Sequence, residues 1–279
     1  MKTALFTASA LLCFAANSLL CRLALAQGAI DPAAFTGLRM ASGALVLGLI
    51  ALRRKGARPA EGWSWLSAAA LFAYAAPFSY AYVSIGAGVG ALVLFGVVQA
   101  TMIGWGLVRG DRPGPLLWLG LAIALGGLVV LAAPGARAPD PPGLASMAIA
   151  GAAWGVYTLR GRSSGVDPVV ANAAAFARTV PVAAALVAGA AALGRLSGSP
   201  RGVLLAIASG ALASGVGYAI WYAALRGLTV ARAAVLQLLV PVLAAGGGVL
   251  LLGEVASPRL LIAGGAILGG VALAIAGRA

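Results

Sequence analysis

The sequence predicts an all-α polytopic membrane protein of about ten spanning helices in two halves, and three observations carry that prediction. Of its 279 residues 62% are apolar and 9% charged, whereas a soluble domain is about a quarter charged. Runs of about 20 apolar residues, enough to cross a hydrocarbon core of about 30 Å, recur along the whole length with short polar breaks. The second half also repeats landmarks of the first. One membrane domain without a soluble appendage is the expectation.

With charges, Pro and Gly as punctuation, the first five helices are predicted at about 3–26, 33–52, 63–83, 88–108 and 115–133. The second five fall at about 143–160, 168–192, 202–225, 229–252 and 258–277. Residues 1–17 imitate a secretory signal through Lys2, an apolar run and the small residues Ala8, Ser9 and Ala10. Apolar character continues to Ala26 and spans follow throughout, so a retained first helix is expected. Cys13 and Cys21 lie eight residues apart on that helix, about 12 Å along its axis, too far to pair with each other. Trp63, Trp65 and Trp118 sit near predicted ends, as interfacial anchors do.

Nineteen basic residues oppose six acidic ones. No basic cluster is interleaved with aromatics or set on a polar domain, so nucleic acid is not the expected partner. In a membrane chain the excess encodes orientation. An internal amino terminus places twelve basic residues on the cytoplasmic side and leaves Arg137, Arg195, Arg201 and Arg259 outside. Both termini are therefore expected in the cytoplasm, with Arg22, Arg39 and Arg178 inside spans.

The halves are expected at 1–136 and 137–279, as one membrane domain. Gly110-Asp111 matches Gly253-Glu254, and Gly126-Gly127 matches Gly269-Gly270 at the same offset of 143 residues; Asp31-Pro32 likewise matches Asp167-Pro168. Five helices per copy is an odd number, so the copies insert with opposite orientation, an arrangement characteristic of transporters.

The run Leu236-Gln237-Leu238-Leu239-Val240-Pro241-Val242, followed by Leu250-Leu251-Leu252-Gly253-Glu254, resembles the ninth-helix pattern of EamA-type drug/metabolite transporters. Tyr222-Ala223-Ala224-Leu225 and Leu38-Arg39-Met40 are similar to further family motifs, and the likeness covers essentially the whole chain. It implies ten helices, inverted five-helix repeats, and a central substrate cavity lined from helices 1, 3, 4, 6, 8 and 9. Amino acid exporters of the YddG type are the first members to consider. The chain departs from the family in its fourth helix, where Val97-Val98-Gln99 replaces a Glu-Pro-like pair. Paired prolines therefore do not gate it symmetrically. At Pro241 the missing N–H frees the carbonyl near Gln237 for a partner or substrate, or simply kinks the helix.

Polar and aromatic side chains within spans are the cavity candidates, because polar groups at depth are costly and face the bundle interior or a wet space. They are Asn17, Tyr74, Tyr80, Gln99, Trp154, Tyr157, Tyr218, Trp221, Tyr222 and Gln237. Tyr218, Trp221 and Tyr222 share one face at i, i+3 and i+4, and Trp154 and Tyr157 repeat part of that spacing. The competing reading for the rings is lipid-facing packing or an interfacial belt. Arg39 and Arg178 attract a carboxylate or phosphate, or else snorkel and clasp backbone carbonyls; the resemblance implies a structural role.

All six acidic residues fall at loops or helix ends and histidine is absent. The usual buried proton carrier is thus missing, so facilitative transport, or coupling through an edge carboxylate such as Glu254, is expected. A cavity without a carboxylate suits neutral or zwitterionic cargo better than cations, amino acids first and nucleosides, sugars or drugs next. No cofactor or metal is expected. The constellations of intramembrane proteases and prenyltransferases cannot be assembled, and no phosphate-cradling Gly-rich loop is present. A non-transporting scaffold is the rival from another class. Gly151-x-x-x-Gly155 and Gly265-x-x-x-Gly269 fit internal helix contacts better than subunit packing, leaving a monomer or weak homodimer.

Overall fold

The computed structural model describes residues 2–53, 64–110, 114–132, 139–163, 167–228, 236–237 and 239–276. Trp63, Glu61, Asp111 and the predicted start of the ninth helix lie outside them. The described residues form ten helices: α1 Lys2–Leu25, α2 Pro32–Leu52, α3 Trp65–Ala81, α4 Ala87–Val108, α5 Pro115–Ala132, α6 Pro141–Ser163, α7 Pro168–Ala192, α8, α9 Leu239–Leu252 and α10 Pro258–Ala276. Helix α8 is continuous but not uniform. α-Helical Pro200–Ala208 and Gly217–Leu225 flank a π-helical Ser209–Val216.

Five of these helices are by themselves long and apolar enough to cross a membrane: α1, α2, α4, α7 and the span Pro200–Ala224 of α8. Shorter apolar stretches fall in α5, α9 and α10. Only partial burial is seen along the five long spans, as a bundle with a lipid-facing exterior requires.

The starts and stops are written locally. Asp31 Oδ1 accepts from the Ala33 and Ala34 amides at 2.8 and 3.1 Å, and Asp167 Oδ1 accepts from the Val169 and Val170 amides at 2.8 and 3.4 Å. Each is an N-cap followed by proline at the first helical position. Gly110 and Gly253, the matched pair of the two halves, both have positive φ, 91° and 67°, just beyond α4 and α9.

Packing repeats the same relation. α3 packs on α6 as α8 packs on α1, α4 on α6 as α9 on α1, and α2·α7, α4·α9 and α5·α10 pair with their own counterparts. The last of these pairs shows the relation at atomic level. A Cβ on Gly127 would meet the Ala263 carbonyl oxygen at 3.0 Å, and one on Gly270 would meet the Gly120 carbonyl oxygen at 2.5 Å. The offsets are equal, 270 − 127 = 143 and 263 − 120 = 143, so each half presents to the other the surface it receives, the signature of a two-fold contact.

Of the two glycine pairs expected to make internal helix contacts, one does and one does not. Gly151 and Gly155 do pack internally, against Leu94, Val97, Val98 and Thr101 of α4. Gly265 and Gly269 do not: both are exposed, with open space where a Cβ would lie. Helix α10 turns Gly270 rather than Gly269 onto α5, and that 100° rotation per residue carries the other two outward.

Candidate functional site

The sequence candidates converge between α1, α3, α4, α6, α8 and the segment before α9. Phe14, Asn17, Ser18, Tyr74, Phe78, Leu94, Phe95, Trp154, Tyr218 and Gln237 enclose a cavity of about 20 Å³, room for about one water. The rings interlock. Trp154 lies 4.8 Å from Tyr74 and 5.2 Å from Tyr218, while Phe14 meets Tyr218 and Trp221 edge to face at 5.8 and 5.7 Å. Such contacts add about 0.5–1.5 kcal/mol per pair beyond area burial.

Polar groups stand behind this wall. The π-helical turn of α8 sends Ser209 Oγ to Asn17 Oδ1 at 2.6 Å and places Ser214 Oγ 3.3 Å from Arg39 Nε. Gly210 makes the approach possible, since a Cβ there would collide with Ser42 and with the Arg39 backbone. Its counterpart helix α3 breaks its own ladder with Pro77 in its last turns, so two of the helices that line the cavity carry an interruption. Pro181 does the same in α7.

Arg39 is fully buried. Its Nη2 donates to the Tyr74 hydroxyl at 2.8 Å, and its guanidinium lies 4.9 Å from the Phe78 ring centroid and 5.1 Å from that of Tyr74. Nη1 has no hydrogen-bond partner among the described residues. Arg178 is placed differently, part-buried and stacked 4.6 Å over Trp65.

Other candidates are spread around the cavity rather than in it. Tyr157 donates to Asn172 Oδ1 at 2.5 Å and stacks on Trp154. Trp221 backs Phe14, and Tyr222 is half-buried against the core. Gln99 is buried on the same face of α4 as Phe95, one turn along, and its Nε2 has no partner among the described residues. Tyr80 departs from the cavity set: it is exposed, because six residues beyond Tyr74 its side chain points away from that face. Pro241 follows Gln237 by four residues and supplies no N–H to the Gln237 carbonyl. It is buried, and also borders an apolar groove with Gly246 and Gly264.

One end of the bundle is laced shut. Glu254, from the α9–α10 link, takes Arg22 Nε at 3.3 Å and caps α4 through the Ala87 amide at 2.9 Å. Arg22 Nη1 also donates to the Tyr82 and Val83 carbonyls, both at 3.1 Å. The α1–α2 and α7–α8 links pair there through Asp31 N to Ser197 O and Ser199 N to Ala29 O, both 2.8 Å. Arg22 thus belongs to the last turn of α1 and its neighbours, rather than to mid-span. At the other end Arg160 donates to the Ser64 and Ser67 hydroxyls, and Arg226 pairs with Asp167 at 3.5 Å on an exposed surface.

Phe14, Ser18, Phe78 and Phe95 are cavity residues that the sequence reading passed over. Helical spacing from known candidates reaches some of them, since Phe78 is four residues from Tyr74 and Phe14 three from Asn17. Nothing in the sequence marks the π-helical turn or the Ser209 and Ser214 contacts it makes.

This arrangement, apolar helices in two related halves around a polar and aromatic site, is that of a multi-pass membrane transporter. The model of the EamA-like transporter family matches residues 1–133 and again 141–276, and the chain belongs to that family. It is 54% identical over 278 residues to the uncharacterized protein PA1977 of Pseudomonas aeruginosa, covering 99% of this chain and 96% of that protein. A solved crystal structure described only as that of a protein shares the fold, with a TM-score of 0.67 at 22% identity, over 98% of this chain and 96% of that one.

Proposed function

We propose that the protein exports small neutral or zwitterionic metabolites, amino acids with apolar or aromatic side chains first among them, by alternating access across the inner membrane. The observation that carries this reading is the cavity wall: Trp154, Tyr74, Tyr218, Phe14 and Phe78 offer faces for an apolar side chain, while Asn17 and Gln237 offer hydrogen bonds. Among the described residues no acidic side chain lines it, which disfavours a cation needing a replacement for its hydration.

Both termini in the cytoplasm, the orientation favoured by the basic residues, puts the Glu254–Arg22 end outside. The conformation is then closed to the exterior, and export requires that clasp to part. The halves 1–136 and 137–279 are the bodies that rock. Facilitative operation fits the lack of a buried carboxylate or imidazole among the cavity residues.

Purified protein in liposomes, given a panel of radiolabelled amino acids, nucleosides, sugars and organic cations, tests the reading. Saturable flux of amino acids that stops at equal concentrations, with or without a pH gradient, is the expected result. Preference for organic cations overturns the substrate class, and accumulation driven by an imposed pH gradient overturns the facilitative mode.

A further inference from the structure

Arg39 presents an electrostatic imbalance at the centre of the molecule. It is fully buried, yet its described hydrogen bonds go to two neutral hydroxyls, Tyr74 and Ser214, and its guanidinium lies over the faces of Phe78 and Tyr74. The described ion pairs join Arg22 to Glu254 and Arg226 to Asp167, and neither involves Arg39. A guanidinium in a low-dielectric interior without a counter-ion is costly.

The imbalance is one of hydrogen bonding as well as charge. The buried groups near the cavity without partners among the described residues include two pure donors, Arg39 Nη1 and Gln99 Nε2, beside the Tyr82 hydroxyl, which packs on Phe78. A buried donor left unmade is costly, and the positive charge of Arg39 makes a negative acceptor the group best suited to this site.

The Tyr74 hydroxyl links the imbalance to the cavity. Its oxygen accepts from Arg39, which polarises its O–H toward an acceptor, and the neighbouring Tyr218 hydroxyl is the protein group that shares it. Its ring already forms part of the cavity wall. We propose that Arg39, acting through the Tyr74 hydroxyl, makes this cavity selective for substrates that carry a carboxylate, the acid group of an amino acid supplying the missing negative acceptor. Tyr74 touches the substrate; Arg39 is a positioning residue that supplies field and orientation. The inference rests on the transport reading above and sharpens it, because an aromatic cavity alone would accept an amino acid, its amide and its decarboxylated amine alike.

The test compares L-phenylalanine, L-phenylalaninamide and phenethylamine in proteoliposomes of the wild type, Arg39→Gln and Tyr74→Phe. The wild type is expected to prefer phenylalanine by at least about tenfold over both analogues, as loss of one charge-assisted hydrogen bond implies. Both variants are expected to reduce that preference to about twofold or less. Tyr74→Phe keeps the ring and its stacking, so the experiment does not depend on the folding of Arg39→Gln. Equal flux of all three compounds through the wild type overturns the inference while leaving transport intact, as does a uniform loss for all three in Tyr74→Phe with selectivity retained. If the wild type moves none of the amino acids, nucleosides or sugars in the broader panel, the transport reading fails and the inference with it.

Discussion

Arg22 and Arg39 lie on neighbouring helices of the same half and have opposite fates. Arg22, at the end of α1, is compensated within the chain by the Glu254 carboxylate and two carbonyls. Arg39, inside α2, is held among the described residues by hydroxyls and rings. A charge neutralised by its own protein ties elements together and breaks only when they move. A charge left without a counter-ion at the centre of a membrane bundle is poised for something that arrives. The comparison separates closure from recognition.

The sharpest blow to this contrast is Gly210→Ala. Its Cβ has nowhere to go but into Ser42 and the Arg39 backbone, so α2 and α8 must separate at the Arg39–Ser214 contact. A loss of about 1–3 kcal/mol in stability is expected, read as a lowered Tm in detergent together with lost flux. An unchanged Tm would show that the two helices are not held at this distance.

Glu254→Ala comes next. It strands the Arg22 guanidinium and uncaps the α4 amide of Ala87, with an expected cost of about 1–2 kcal/mol. With Cys13 and Cys21 replaced by Ala, a cysteine at the buried cavity residue Ser18 is expected to react several times faster with an impermeant maleimide in the Glu254→Ala protein than in its parent. No change in labelling would mean that the clasp does not hold this end closed.

Arg39→Leu supplies the contrast. Because it leaves no carboxylate behind, its effect on stability is expected to stay within about 1 kcal/mol, with ligand-induced thermal stabilisation lost. A drop larger than that of Glu254→Ala would reverse the comparison and make Arg39 the structural residue. The smallest effect is expected of Tyr80→Phe, whose exposed hydroxyl should matter by less than about 0.5 kcal/mol in stability and leave the uptake KM unchanged.

The legible part of the site was its chemistry. Asn17, Tyr74, Trp154, Tyr218 and Gln237 all line the cavity, and they are conspicuous because polar and amphipathic groups stand out in apolar runs. Tyr80 belongs to the same composition class but not to the same place, since only the rotation of α3 separates it from Tyr74. The acceptor that Ser214 offers Arg39 could not have been anticipated, because it depends on a π-helical turn that shifts the face of α8 without any proline to announce it.

Composition, apolar periodicity and the Asp-Pro and Gly landmarks determined on their own that this chain is a ten-helix membrane bundle in two related halves. These are local properties, set by the cost of exposing backbone and charge to lipid and by the conformations that caps and turns demand. Tertiary structure alone decided which arginine finds a carboxylate and which does not. Glu254 reaches Arg22 across 232 residues of sequence, and that meeting depends on how the helices pack, a relation that no local pattern encodes.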